Sequence, residues 1–129
     1  VWMGFDVGKQ MDRKRGLWDA KLFETSELYG VDYGMTKADR LRYGQTMMTH
    51  AMLFTGVDVV DGKPRRWRVE NSWGEDSGEK GFYTMNDSWY DEHMFEIATA
   101  KKYLNEKMLE GLKTKPIVLD AWDPMGSLA

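Results

Sequence analysis

Apolar residues cluster at the two ends and the middle of the chain, and their spacing changes from one stretch to the next. Val1 to Val7 is a short apolar run closed by Gly8, which predicts a strand. Lys9 to Gly34 mixes glycine and charge and predicts a long irregular excursion with a short helix near Leu17 to Phe23. Thr36-Lys37-Ala38-Asp39 resembles a capping box with a short acid, so a helix is expected from about Lys37 to Gln45.

The middle of the chain alternates with period two. From Met48 to Val57 both alternating sets are largely apolar, with His50, Met52 and Phe54 on one side and Ala51, Leu53 and Val57 on the other. A strand apolar on both faces is expected to be buried on both. Val60-Asp61-Gly62-Lys63 predicts a hairpin turn. The return strand, Arg65 to Trp73, puts Trp67, Val69, Asn71 and Trp73 on one face and Arg66, Arg68, Glu70 and Ser72 on the other.

Glycines 74, 78 and 81 break the next segment, and Phe82 to Met85 predicts another short strand. Asp87 is placed to cap a short helix carrying Trp89 and Tyr90, and Phe95 to Ala100 is expected to be extended. Asn105 to Leu112 gathers Met108, Leu109 and Leu112 on one side, as an amphipathic helix does. Pro116 ends it, and Ile117 to Ala129, with Pro124 and Gly126, is expected to be extended rather than regular. There is no internal repeat. The balance predicts an α+β fold with an antiparallel hairpin at its centre, in a single unit spanning 1–129.

Composition adds exclusions more than it adds chemistry. The chain has 129 residues and a net charge of -3, so no global basic field points to nucleic acid. Arg65, Arg66 and Arg68 read as a solvated strand face. No run approaches the roughly 20 apolar residues that span a bilayer. There is no cysteine, hence no disulfide, thiolate metal site or cysteine nucleophile in this chain. That count fits a cytoplasmic setting and also a secreted protein without disulfides. The opening Val1-Trp2-Met3 leads straight into a strand, as expected of a piece of a longer protein.

Only two histidines are present. His93 reads as a surface or structural residue, and a His50/His93 metal pair has no supporting ligand spacing. Alone, His50 would read as a core histidine satisfied by backbone. Asn71 is unusual: it sits on the apolar face of its strand, where an unpaired amide would cost about 1–3 kcal/mol, so it needs a partner. The hairpin supplies one. His50 precedes the turn by about eleven residues and Asn71 follows it by about nine, so they face each other once small bulges absorb the mismatch. An amide accepting from one ring nitrogen sets the tautomer and aims the other nitrogen at an incoming group. Trp73, next on that face, can cover the bond.

Three ordered blocks carry a family resemblance: Thr49-His50-Ala51-Met52, then Trp67 to Gly74, then Gly78-Glu79-Lys80-Gly81-Phe82. They resemble the His and Asn blocks of papain-like cysteine peptidases. Arg68-Val69-Glu70-Asn71-Ser72-Trp73-Gly74-Glu75-Asp76, the opening Val1 to Lys9 and the ending Ala121 to Ala129 are closer still to the bleomycin hydrolase and aminopeptidase C branch. The resemblance implies the C-terminal, β-rich, base-bearing part of a papain-like fold. It implies His50 as base and later acid, Asn71 as its orienter, and Trp73 as a shield. The cysteine and the oxyanion donors would lie in a missing upstream segment, so this chain alone should be inactive. Neither Gln10 nor Gln45 stands in an oxyanion-Gln context.

The same resemblance implies an arm, 116–129, that enters the active-site cleft, with the terminal carboxylate of Ala129 facing the free amine of the substrate. It further implies peptide substrates, no cofactor, a cytoplasmic homohexamer, and no membrane partner. Two rival readings remain: an aromatic binding module using Trp67, Trp73, Trp89 and Tyr90, and an interaction subunit that keeps the scaffold without the chemistry. The first predicts exposed tryptophans and a His50 unrelated to Asn71.

Overall fold

The computed structural model describes residues 1–128. Seven strands form one sheet: β1 (Trp2–Phe5), β2 (Met11–Asp12), β3 (Leu17–Trp18), β4 (His50–Val60), β5 (Lys63–Glu70), β6 (Phe82–Asn86) and β7 (Met94–Ala98). Four short helices accompany them: α1 (Thr25–Tyr29), α2 (Lys37–Arg42), α3 (Asp87–His93) and α4 (Glu106–Gly111). The strand order is β2-β3-β6-β5-β4-β1-β7, antiparallel except where β3 runs parallel to β6. The expected α+β balance is what forms.

The centre of the sheet is the β4–β5 hairpin. Asp61 and Gly62 take φ of 51° and 75°, and left-handed backbone at both central positions is what a type I′ turn needs to match strand twist. Two irregularities, between Phe54 and Gly56 and between Asp58 and Val59, shift the register along the pair. The side chains that end on the inner face form the core: Met3, Phe5, Trp18, Met52, Val69, Tyr83, Met85 and Trp89. Buried indoles keep their N–H groups satisfied. Trp89 donates to the Lys9 carbonyl at 2.7 Å and Trp18 to the Val7 carbonyl at 3.1 Å.

Several expectations are corrected. The stretch from Leu17 to Phe23 holds no helix: Gly16, at φ +65°, turns the chain so that Leu17 and Trp18 pair as β3 and Trp18 buries fully. The helix forms later, at Thr25–Tyr29. β4 is not buried on both faces, because the elements of this chain cover only one of them; Ala51 is exposed and Val57 half-exposed. β5 starts at Lys63 and stops at Glu70, where the Asn71 amide turns away to the Gly81 carbonyl. Asp87 is the first residue of α3 rather than its cap, and its carboxylate accepts the Trp67 indole N–H at 2.8 Å. β7 starts at Met94 and ends at Ala98, short of the expected Ala100.

Helix α2 follows its capping signal. Thr36 accepts from the Asp39 amide at 3.1 Å and donates to its carboxylate at 2.7 Å. Asn105 caps α4, yet Met108 on that helix and Leu112 at its C-terminal cap face solvent. The last stretch is partly regular: Pro124–Leu128 forms a 3-10 turn, while Ile117 to Asp120 carry no regular structure. Ile117, Val118 and Trp122 are more than four-fifths exposed, at 88%, 89% and 82%. Large apolar side chains exposed to this degree favour association. The 129 residues expressed alone are therefore expected to self-associate in sedimentation velocity, and a monomer with a cooperative melt would contradict this.

His93 is buried against Trp89, with ring centroids 5.0 Å apart, so of its two expected placements the structural one holds. Burial, and then the nearby Arg40 cation, lower its pKa to about 4. An unfolded histidine takes up its proton near pH 6.5, whereas this one stays neutral until about 4. Stability is thus lost as pH falls through that window, by up to about 3 kcal/mol. His93→Phe is expected to flatten the decline of the urea midpoint between pH 6.5 and 4; an unchanged slope would count against this account.

Candidate functional site

The site is assembled at the junction of β1, β4 and the loop after β5. Thr49 fastens the start of β4: its amide donates to the Phe5 carbonyl at 3.0 Å, and its hydroxyl accepts from the Val7 amide at 3.1 Å. His50, the first residue of β4, lies opposite Phe5 in register. The edge-on Phe5 ring, at 6.3 Å and 88°, backs the imidazole.

Asn71 completes the pair. His50 Nε2 lies 2.9 Å from Asn71 Oδ1, and the Ser72 amide donates to that same oxygen at 2.7 Å. A backbone N–H can only donate, so the atom it meets is the amide oxygen. The His50 nitrogen facing that oxygen must then carry the proton. Nε2–H is therefore the donor, and in the neutral ring the lone pair sits on Nδ1, the tautomer that a proton acceptor requires. The opposite end of the amide, Nδ2, is buried with no partner among the described residues.

Trp73 stacks on the imidazole, with centroids 5.2 Å apart and planes 23° from parallel. It meets Tyr83 edge-on at 6.0 Å, and the Arg13 guanidinium lies 4.6 Å from its centroid. The indole thus lies against one face of the imidazole that Asn71 holds.

Of the residues singled out in the sequence, His50, Asn71 and Trp73 come together, and Ala129 lies outside the described residues. Two residues before it, the Ser127 carbonyl accepts from the Met48 amide at 3.1 Å, just ahead of His50. Gln10 is occupied elsewhere, exchanging hydrogen bonds with the Phe23 backbone at 2.7 and 3.2 Å. Among the described residues, no cluster of three or more acidic or histidine side chains is placed to hold a metal.

The aromatic-module reading fails on packing. Trp89 is fully buried, Trp67 stacks on Tyr90 at 5.1 Å with its N–H committed to Asp87, and Trp73 is held by His50. Arg65 and Arg66 pair with Asp58, and Arg68 lies 3.7 Å from the centre of the Phe82 ring. Sequence reasoning missed Arg13, because it belongs to no recognisable block; only the fold brings it over the Trp73 ring.

The curled seven-stranded sheet with a His–Asn–Trp cluster at one junction defines the β-rich part of a papain-like fold. Residues 1–126 match the Peptidase C1-like family, and the chain belongs to it. It is 46% identical over 129 residues to an aminopeptidase C of Listeria innocua, and 48% identical over 133 residues to a bleomycin hydrolase of Homo sapiens. Each comparison covers 100% of this chain and 29% of the relative. A crystal structure of PepW from Lactobacillus rhamnosis superposes with a TM-score of 0.89 at 48% identity, over 99% of this chain and 29% of that one. The chain thus spans less than a third of the length of the relatives it matches.

Asn71→Ala removes the oxygen that receives two N–H groups. A partly buried hydrogen bond of this kind contributes about 1 kcal/mol net. The urea midpoint is expected to fall correspondingly, and an unchanged midpoint would mean the shared acceptor contributes nothing.

Proposed function

We propose that this chain is the base-bearing C-terminal portion of a cysteine aminopeptidase that releases N-terminal residues from peptides. The observation that carries this reading is the His50–Asn71 hydrogen bond beside Trp73, with Nε2 as donor and Nδ1 outside that bond. Family membership and the names of the relatives support it.

The mechanism follows from that tautomer. A cysteine thiol from the preceding part of the protein gives its proton to His50 Nδ1, leaving a thiolate beside an imidazolium. Asn71 Oδ1 holds the ring through Nε2–H, so the proton travels on the opposite nitrogen alone. The thiolate attacks the peptide carbonyl, and the oxyanion is met by donors from the same preceding segment. His50 Nδ1–H then protonates the leaving amine and afterwards accepts a proton from the water that opens the thioester. No cofactor takes part.

The arm, 116–129, is proposed to lie in the cleft. The Met48–Ser127 backbone hydrogen bond supports this, since it ties the arm to the residue pair before His50. The carboxylate of Ala129 would then face the substrate's α-ammonium, favouring a charged N-terminus and blocking longer chains on that side. Assembly as a cytoplasmic homohexamer belongs to the same reading and rests on the family resemblance.

The full-length protein is expected to hydrolyse aminoacyl-arylamides and to lose this activity on thiol alkylation. His50→Ala should lower kcat by about a thousandfold, within the range that removal of a general base produces. Deleting Leu128 and Ala129 should depress cleavage of substrates with free amines relative to N-acetylated ones. If the full-length protein cleaves no arylamide, the reading as an interaction subunit takes its place.

A further inference from the structure

We propose that Arg13, resting on Trp73 beside His50, forms with Lys14 a subsite for a carboxylate on the leaving-amine side of the scissile bond. This rests on the peptidase reading above. Arg13 lies in the turn between β2 and β3, and that turn is built rather than loose. The Asp12 carboxylate accepts from the Arg15 amide at 2.9 Å. Gly16 takes φ +65°, and a Cβ there would stand 2.8 Å from Gly78 Cα, so the turn sits directly on the glycine-rich loop after Asn71. From that turn, Arg13 Nε donates to Ser77 Oγ at 3.4 Å. Ser77 is itself buried and hydrogen-bonded to the Tyr83 hydroxyl.

The outcome is a guanidinium held 4.6 Å from the centre of the indole that stacks on His50. With Nε given to Ser77, the two terminal nitrogens of the guanidinium are left for a carboxylate, which they can bind with two parallel hydrogen bonds. Neither Arg13 nor Lys14 makes an ion pair among the described residues, whereas Arg15, Arg40, Arg42, Arg65 and Arg66 all do. Arg13 and Lys14 line a shallow surface groove of about 390 Å³ together with Trp73, Asp76 and Ser77. Asp76 offsets one positive charge, so the groove keeps a net charge of about +1 at neutral pH.

Proton delivery sets the direction. The leaving amine must reach His50 Nδ1, so the residue that carries it departs past a neighbour of the imidazole. Phe5 is buried behind the ring, Asn71 occupies Nε2, and the arm side at Met48 is taken by the substrate's own N-terminus in the proposed function. The Trp73 side remains, and the groove joins the imidazole there through the indole alone. A carboxylate there comes from one of two sources: an acidic side chain just past the scissile bond, or the terminal carboxylate of a dipeptide.

The test uses the full-length protein and four substrates sharing one N-terminal residue: the arylamide, an amidated peptide with a neutral second residue, its counterpart with Glu second, and the dipeptide with a free carboxylate. Cleavage of the arylamide tests the peptidase reading by itself. With that activity present, kcat/KM for a carboxylate-bearing substrate is expected to exceed the neutral amidated one by about fivefold, as a partly exposed ion pair allows. A preference for Glu identifies the side chain as the source, and a preference for the dipeptide identifies the chain end. The ratio should approach one in Arg13→Gln, invert in Arg13→Glu, and shrink in 0.5 M salt, where the Debye length is about 4 Å. A ratio of one in the unaltered protein, or a preference that survives Arg13→Gln and Lys14→Gln together, overturns the subsite while leaving the peptidase reading intact.

Discussion

The pairing of β4 with β5 is the constraint on which the rest of the molecule depends. Side chains alternate with period two, so a slip of one residue would send Met52 and Val69 to the surface and part His50 from Asn71. The type I′ turn at Asp61–Gly62 starts the register, and the two irregularities adjust it before the ladder ends at Leu53 and Glu70. Beyond that point the backbones separate. Side chains bridge the gap instead, and the bridge is the His50–Asn71 bond.

A single amide oxygen then has two tasks. It receives the Ser72 amide, which holds the start of the loop after β5, and it receives His50 Nε2–H, which orients the ring. Loop structure and ring tautomer are therefore linked through one atom. Trp73 extends the linkage outward, because the residue that stacks on the imidazole also contacts Tyr83 in the core and Arg13 at the rim. The distribution of exposed apolar surface is the counterpart of this order. One face of the sheet is packed by the chain's own elements, while Trp122, Ile117 and Val118 are left open.

Local chemistry was legible wherever a short motif dictates backbone geometry. Asp-Gly between apolar runs produced the hairpin, and Thr36 with Asp39 produced the start of α2. The His–Asn juxtaposition followed from counting residues on either side of one turn. Reading failed where tertiary pairing overrides local preference. Leu17 and Trp18 have no helix to join because Trp18 is needed in the core and β6 offers a free edge. Asp87 looked like a cap, but the Trp67 indole claims its carboxylate.

By itself, the sequence determined the α+β class, the central hairpin, the pairing of His50 with Asn71 and, through its ordered blocks, the family. The first three are set by spacing along the chain, which alternation and turn chemistry convert into geometry, and the family by the residue identities of those blocks. Only the tertiary structure decided which face of β4 is covered, which ring nitrogen carries the proton, and that Arg13 rests on Trp73. Those outcomes depend on contacts between residues far apart in the chain, and no local pattern encodes where such residues meet.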